Sequence, residues 1–168
     1  MADEQQQKWE GLFRGSVLSS TIAKNTALIT SSDTRAQGLM LLNSVLVPLA
    51  INGMKTEELR AAALLSIVTA LVTITLCIFC VYPKRLRSRA GTKNILHYVE
   101  FSALSEEAFV SQMKELFADK EKLTEAAVRD LYHLGSRIIA PKYLLLRWAY
   151  LVFLVGQLSA ALIAIRNA

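Results

Sequence analysis

The chain has 168 residues, a net charge of +5 and a hydrophobic fraction of 53%, with a mean hydropathy of +0.35. This hydrophobicity is high for a soluble domain, while 20% charged residues are too many for a bundle buried entirely in lipid. The composition therefore excludes both a purely soluble domain and a bundle buried entirely in lipid, and it places the charge in separate water-facing segments. The positive charge favours anionic partners, although a basic excess on the cytoplasmic side of a membrane protein explains it more simply.

The N-terminal part of the chain begins with a polar helix and continues into a hydrophobic run. Trp9, Phe13 and Val17 recur every four residues and predict a cytoplasmic helix within residues 1–35, weakened by a stretch rich in Ser and Thr. Residues 36–54 reach the lower limit of length for a membrane span. We therefore expect the first span to begin near residue 36.

Three residues of this first span are unusual in a helix that faces lipid. Pro48 has no backbone donor and is expected to kink the helix. Asn43 is costly to expose to lipid, so its amide is expected to bond to another helix or to line an aqueous pore. Ser44 is the second pore-lining candidate. The sequence leaves interhelical bonding and a pore as open alternatives.

Residues 61–82 form the purest hydrophobic segment, without charge, Pro or Gly. At about 1.5 Å per residue, this segment crosses a hydrocarbon core of roughly 30 Å. The basic run at residues 84–89 predicts that its end faces the cytoplasm, so the first span runs outward and a short outside turn joins the two. Cys77 and Cys80 lie one turn apart in the span, where small core-facing or lipid-facing residues are favoured over a metal or redox site.

Residues 83–142 are expected to form a cytoplasmic helical body. Ser105 is a good helix N-cap, and two amphipathic helices follow it, with a break near Asp119. Their apolar faces can pack on one another as an antiparallel helical hairpin. Residues 143–168 hold a third span, and Pro141 is expected to kink or break the helix at the boundary.

The second helix of this body carries basic and aromatic residues. Arg129, His133 and Arg137 are each four residues apart, with Tyr132 beside them and Lys142 just past them. Basic groups interleaved with aromatic rings can hold a phosphate while a base stacks on the ring. Spacing alone nevertheless favours a stripe that faces solvent or lipid headgroups.

The sequence contains no pattern that argues for catalysis, a metal or a cofactor. Asp130 and His133 are spaced like an acid–base pair, but no nucleophile accompanies them at a defined spacing, so a helix-surface pair is favoured. There is no Gly-rich phosphate loop, zincin helix or nucleophile elbow. We therefore expect no catalytic or metal-binding residues and no cofactor.

Three stretches of the chain resemble the transmembrane Pycsar-effector family of bacterial anti-phage defence: SDTRAQGLMLLN, NILHYVEFSALSEEAFVSQMKELF and LTEAAVRDLYHLGSRIIAPKYLLLRWAYLVFLVG. Their order and spacing carry the resemblance, which covers about residues 30–165. Proteins of this class look like membrane-disrupting effectors switched by a cyclic pyrimidine nucleotide from a partner cyclase. Related membrane proteins accompany other nucleotidyltransferases, as in Hailong-type systems, where a DNA oligomer holds the effector inactive.

The resemblance implies that the stripe of Arg129, Arg137 and Lys142 is a phosphate site and that a base stacks on the ring of Tyr132. Asn94 and Arg35 also match the family pattern and are candidates of second rank. The candidate ligand-binding residues are therefore Arg129, Arg137, Lys142, Tyr132, His133, Asn94 and Arg35.

The sequence thus predicts an all-α membrane protein with three transmembrane helices and a cytoplasmic helical hairpin. Three spans cannot enclose a wide pore, so permeabilising activity requires a homo-oligomer. The expected partners are the lipid bilayer, further copies of the chain, and a signalling nucleotide or short oligonucleotide made by a cognate cyclase or nucleotidyltransferase.

The alternatives are a structural scaffold that recruits a partner protein through the hairpin and a small membrane enzyme. The expected segments are a cytoplasmic helix (1–35), two spans (36–82), the cytoplasmic body (83–142) and a third span (143–168) of the bacterial inner membrane, with the C-terminus outside.

Overall fold

The structure, a computed structural model, describes residues 2–82, 94–96 and 98–167. The predicted basic run at residues 84–89 lies outside this part of the chain. The described secondary structure consists of helices and turns, as the all-α prediction requires. The elements in chain order are α1 (Ala2–Gly53), α2 (Glu57–Val81), α3 (Tyr98–Phe101), α4 (Glu106–Ala118), α5 (Lys120–His133), a π-helical segment (Leu134–Ile139) and α6 (Ala140–Asn167).

The chain divides into two compact units. The three-helix unit comprises residues 29–83 and 140–168, and the cleft unit comprises residues 1–28 and 84–139. The three helical stretches Gly11–Gly53, Glu57–Val81 and Lys120–Asn167 are each long and apolar enough to cross a membrane. The prediction of three apolar membrane helices is therefore confirmed at the level of length and composition.

Helix α1 runs without interruption through the Ser/Thr-rich stretch, where the sequence pattern weakened the prediction of helix. Hydroxyl groups there donate hydrogen bonds to carbonyl oxygens three or four residues earlier, so they are satisfied inside the helix. Pro48 also lies within α1. The side chains that donate in this way are Ser20, Thr21, Thr26, Ser32 and Thr34.

Helices α2 and α6 pack closely against one another. The buried face of α2 is a stripe of small residues at spacings of three and four, which lets two backbones approach. Gly156 lies at the closest point, because a Cβ atom placed there would be only 2.3 Å from Cγ2 of Thr69. The buried residues of α2 are Ala62, Ala63, Ser66, Thr69, Ala70, Thr73, Cys77 and Cys80.

Polar contacts along the α2–α6 interface show that the two helices are antiparallel. Oγ of Ser66 donates to Oε1 of Gln157 at 2.9 Å, and Nε2 of Gln157 donates to the carbonyl of Ser66 at 3.5 Å. Near one end, Nδ2 of Asn167 donates to the carbonyl of Glu58 at 3.2 Å. Near the other end, Sγ of Cys80 donates to the carbonyl of Lys142 at 3.4 Å.

Helix α1 completes the core of the three-helix unit. Ala36 and Leu39 pack with Cys77 and Cys80 of α2 and with two residues of α6, and this cluster is the main buried core. The cysteines are therefore small core residues, in line with the interpretation favoured above for residues one turn apart in a span.

The helices of the cleft unit begin with capped ends. Oγ of Ser105 accepts a hydrogen bond from the backbone amide of Ala108 at 3.3 Å, which confirms the predicted N-cap of α4. Asp119 separates α4 from α5 and accepts from the amides of Glu121 and Lys122. Helices α4 and α5 contact each other. The antiparallel geometry of the predicted hairpin stays a prediction.

The helix does not break at Pro141 in the way that the sequence suggested. Pro141 lies in the first turn of α6, directly after the π-helical segment. Proline cannot donate to the carbonyl four residues earlier and its ring crowds that carbonyl, whereas a π-helix makes bonds over five residues. The wider turn therefore absorbs the proline, and the backbone stays helical.

Candidate functional site

A basic cleft lies on one face of α5 within the cleft unit. Its volume is about 480 Å³, and α1 contributes one residue to its wall. Three cationic side chains and two carboxylates line it, together with one hydroxyl and one apolar side chain. The lining residues of this basic cleft are Arg14, Lys120, Glu121, Thr124, Glu125, Val128 and Arg129.

The sequence spacing of α5 explains why these residues share one face. Positions 120, 121, 124, 125, 128 and 129 fall on neighbouring turns of one helical stripe. Asp119 starts this helix at a defined residue, since its Oδ1 accepts from the amides of Glu121 and Lys122 at 3.0 and 3.1 Å. The bonds from the Lys122 amide, and then from that of Glu121, hold the pKa of the Asp119 carboxyl below its usual value.

Arg129 is the predicted ligand-binding residue that the basic cleft contains. Its Nη2 pairs with Oε1 of Glu125 at 2.5 Å, one turn earlier on α5. Both side chains are more than half exposed, so water screens the pair and it contributes little to stability. A guanidinium has five N–H donors, and most of those of Arg129 stay available to an anion.

Arg14 and Lys120 are cleft residues that the sequence pattern did not identify. Lys120 lies nine residues before Arg129, about two and a half helical turns, so the two residues stand at opposite edges of the lining half of α5 and a single-stripe pattern does not connect them. Arg14 comes from α1 and is more than 100 residues away along the chain. Because no periodicity connects the two helices, only the tertiary structure reveals its position beside α5.

Three other predicted residues lie beyond the lining of the basic cleft. The Tyr132 ring is 71% exposed and meets the His133 ring edge-on, with centroids 6.0 Å apart. Arg137 is half-buried in the π-helical segment. The π turn changes the rotation per residue, so Arg137 no longer follows the line of Arg129 as an α-helix would place it. A shared ligand for this whole stripe stays a prediction.

Asn94 occupies a turn that both atoms of its amide hold in place. Its Nδ2 donates to the carbonyl of Ala126 on α5 at 2.9 Å, and its Oδ1 accepts from the amide of Leu96 at 3.1 Å. The side chain thus fastens the turn before α3 to α5. A role for Asn94 in binding a ligand stays a prediction.

Two predicted ligand residues belong to the three-helix unit. Nζ of Lys142 pairs with Oδ1 of Asp33 at 2.5 Å, and both side chains are mostly buried. Arg35 is exposed and has no ion-pair partner among the described residues. Lys142 is thus engaged with a carboxylate of its own chain.

The two pore-lining candidates have different environments. Asn43 is fully buried inside the single chain, and its Nδ2 donates to the carbonyl of Leu39 at 2.7 Å. Oδ1 of Asn43 and Oγ1 of Thr73 are both buried and have no hydrogen-bond partner among the residues that the structure describes. Ser44 is exposed, and its hydroxyl donates to the carbonyl of Leu41. Whether either residue lines a pore stays a prediction.

A second cleft of about 510 Å³ lies elsewhere in the cleft unit. Its charged side chains are two carboxylates and one ammonium, a balance that disfavours an anionic ligand. It is lined by Ile95, Glu100, Ala103, Leu104, Gln112, Glu115, Leu116 and Lys122. Among the described residues, no group of His, Cys, Asp and Glu side chains is arranged to hold a metal ion.

Three helices that are long and apolar enough to cross a membrane place the chain, by length and composition, among membrane proteins. Residues 17–166 match the family described as the Pycsar effector protein domain, PycTM, so the chain belongs to this family. The predicted resemblance is confirmed over almost the whole chain. No curated protein and no solved structure matches the chain.

Membership of this family makes the protein an effector of anti-phage defence that acts at a membrane. It also links the protein functionally to a cyclase and a nucleotide signal. Pycsar effectors of this kind are transmembrane effectors, which is the class that the three apolar helices require.

Proposed function

We propose that this protein is a nucleotide-controlled effector that permeabilises the bacterial inner membrane as a homo-oligomer. The observation that carries the proposal is the basic cleft, in which Arg14, Lys120 and Arg129 converge from two helices. In this proposal the N-terminus and residues 83–142 face the cytoplasm, where the signal is made, and the C-terminus lies outside.

The chemistry of the basic cleft suits the phosphate of a mononucleotide. Three cations against two carboxylates leave one net positive charge, which matches the single negative charge of a cyclic nucleotide. Arginine guanidinium groups bind phosphate through paired hydrogen bonds. The hydroxyl of Thr124 donates to the carbonyl of Lys120 at 2.8 Å, so the cations are the donors that a phosphate would meet. A volume of about 480 Å³ is in the range of small-molecule sites, which favours a mononucleotide over an oligonucleotide.

The nucleotide would control the membrane activity by a shift between closed and open oligomers. A ligand shifts such an equilibrium only by its difference in affinity for the two states, so the basic cleft must differ between them. The Glu125 carboxylate is a natural competitor, because it bonds to the Arg129 guanidinium that a phosphate would bind. Ligand binding would therefore exchange one partner of Arg129 for another.

The binding half of the proposal is tested by calorimetric titration of the detergent-solubilised oligomer with cyclic mononucleotides and short DNA or RNA oligomers. We expect one nucleotide class to bind and Arg129→Glu or Arg14→Glu to weaken its affinity roughly 10- to 100-fold, the value of a hydrogen bond to a charged group. Lys24→Glu is the matched control, because Lys24 is exposed in the same unit and does not line the basic cleft. Equal losses of affinity in all three variants would show that the net charge of the chain, and not the basic cleft, sets the affinity for the nucleotide.

The membrane half is tested by dye leakage from liposomes that hold the purified oligomer. We expect one nucleotide class to switch leakage on or off. In the Arg129→Glu variant, the nucleotide should no longer change leakage. The absence of leakage under every condition, with the oligomer intact, would overturn permeabilisation and favour the scaffold. In that case substitutions of Phe117, which is 61% exposed on α4, would matter more than substitutions in the basic cleft.

A further inference from the structure

The ion pair between Asp33 and Lys142 differs from the other described ion pairs in its burial. Only 14% of the Lys142 side chain and 27% of the Asp33 side chain are exposed. The side chains of the pairs Arg129–Glu125 and Lys122–Asp119 are 41–62% exposed. Each of these pairs joins residues only three or four positions apart in the sequence. The Asp33–Lys142 pair instead joins residues 109 positions apart in the sequence.

This pair connects α1 to α6 at one end of the three-helix unit. Asp33 lies one turn before the buried residue Ala36 of α1, and Lys142 lies one turn before Leu146 of α6. Sγ of Cys80 donates to the carbonyl of Lys142, so α2 meets the same point. The three helices that form the core are therefore held together where the pair is formed.

A charge pair in this position is suited to act as a switch between two states. Removal of one partner leaves the other charge buried and uncompensated, which strongly disfavours the packed arrangement. Separation of the helices would return both charges to water or headgroups, where a lone ion costs little. The contact of α1 and α6 thus tolerates these two buried charges only as a pair, and their mutual attraction is lost when the helices are apart.

We propose that the Asp33–Lys142 ion pair is a latch that holds α1 against α6 in the closed state of this effector and separates when the effector opens. The proposal rests on the proposed permeabilising function, because it assigns the pair to the closed state of that activity. It also assigns to Lys142 a regulatory contact within the chain.

Cys77 and Cys80 provide a readout of the latch that does not depend on leakage. They are the only two cysteines of the chain, they are fully buried, and they lie in the core between α1, α2 and α6. In this proposal, opening of the latch removes Ala36 and Leu39 from the thiols and admits water, in which the reactive thiolate can form. The rate of alkylation by a membrane-permeant maleimide, measured well below the melting temperature, therefore reports the separation of the helices.

The test compares wild type with Asp33→Asn, Lys142→Met and the charge swap Asp33→Lys/Lys142→Asp in liposomes without ligand. We expect each single variant to be alkylated and to leak roughly tenfold faster or more, because each leaves one buried charge unpaired. The swap should return both rates to within about twofold of wild type, since it restores the opposite charges. Lys142→Arg, which keeps the charge, should behave like wild type.

Lys122→Met is the matched control, because it breaks an exposed lysine–aspartate pair and should leave both rates unchanged. Alkylation of the folded single variants at the wild-type rate would overturn the latch, and so would a swap that behaves like them. If a single variant fails to fold by circular dichroism and gel filtration, the folded swap and Lys142→Arg decide, since either one at a raised alkylation rate contradicts the proposal. Raised alkylation without any leakage would keep the latch and refute permeabilisation.

Discussion

The three-helix unit and the cleft unit bury their side chains in very different ways. In the three-helix unit, small and polar residues are buried to zero or a few per cent exposure along α1, α2 and α6. In the cleft unit, α4, α5 and the π-helical segment contain no fully buried side chain. Large apolar groups such as Phe117 and Val128 are more than half exposed there.

This difference shows where a signal would act most easily. A close interface of small residues has little room to adjust, because interiors are packed near the density of crystals. Helices without buried side chains, such as α4 and α5, have few contacts to lose, so a ligand or a second copy can reorder them at small cost. We therefore expect the cleft unit to receive the signal, and the three-helix unit to change only between discrete arrangements.

The largest effect should follow from the loss of close contact between α2 and α6. Gly156→Leu places side-chain atoms where Thr69 already lies, because even a Cβ atom would be 2.3 Å from Cγ2 of Thr69. We expect the free energy of unfolding to fall by about 2–3 kcal/mol. The measurement is thermal unfolding in detergent.

Gly38→Leu is the control for this variant, because nothing lies within 4 Å of a Cβ atom at Gly38 of α1. It should change the unfolding temperature much less than Gly156→Leu does. Equal shifts for the two variants would show that the loss of helix-interior glycine, and not the α2–α6 contact, sets the effect.

The substitution Asn43→Leu should have a smaller effect, with opposite signs for the unfolding temperature and for leakage. Its Oδ1 is buried without a partner, a defect that costs about 1–3 kcal/mol in a native structure. Asn43→Leu should therefore leave the unfolding temperature unchanged or raise it. If the amide serves conduction, the same variant should lower leakage.

Ser44→Ala is the matched variant for this test, because the Ser44 hydroxyl bonds only to its own helix among the described contacts. The unfolding temperature should stay at the wild-type value, and a fall in leakage would support Ser44 as the second pore-lining residue. A fall in the unfolding temperature of Asn43→Leu, with leakage unchanged, would assign Asn43 to interhelical bonding and remove it from the pore.

The smallest effect should appear at the start of α5, a helix in which no residue is buried. Hydrogen bonds from the amides of Lys122 and Glu121 lower the pKa of Asp119 below its ordinary value of 3.8. Because the pKa is lower in the folded state, the cap stabilises α5 fully above this ordinary value and is lost as the pH falls through the lowered pKa. Helix content, measured by circular dichroism, should fall slightly over that range.

Asp119→Asn separates this contribution from the titration of other carboxyl groups. Asparagine caps helices about as well as aspartate and does not titrate, so this variant should keep its cap at every pH. The difference between wild type and Asp119→Asn should vanish at neutral pH and grow in acid. A constant difference would mean that the carboxylate charge does not hold the cap.

Much of the fold follows from local pattern. The apolar lengths predicted three spans, and Ser105 predicted the start of α4, because both signals depend on neighbouring residues only. The Ser/Thr-rich stretch, which weakened the prediction of helix, is helical, and its hydroxyls bond within α1. Of the kink or break expected at Pro141, the break is absent, because a π-helical segment leads directly into α6, which propensity alone does not predict.

The candidate site was predictable in part. Arg129 was noted for its spacing on one helix and became a ligand candidate through the family resemblance, and it lines the basic cleft. Arg14 was missed because it comes from a distant part of the chain. Asn94 was selected by resemblance, and its amide is bonded to the turn and to Ala126.

The sequence by itself determined the helices, their apolar faces, their capped starts and the family. Only the tertiary structure decided which faces meet, because a periodic pattern identifies a face of a helix and not its neighbour. Ser66 meets Gln157 across 91 positions, and Asp33 meets Lys142 across 109. The packing of small residues around Gly156 brings such distant groups together, and with them the buried charge pair that we assign to the closed state.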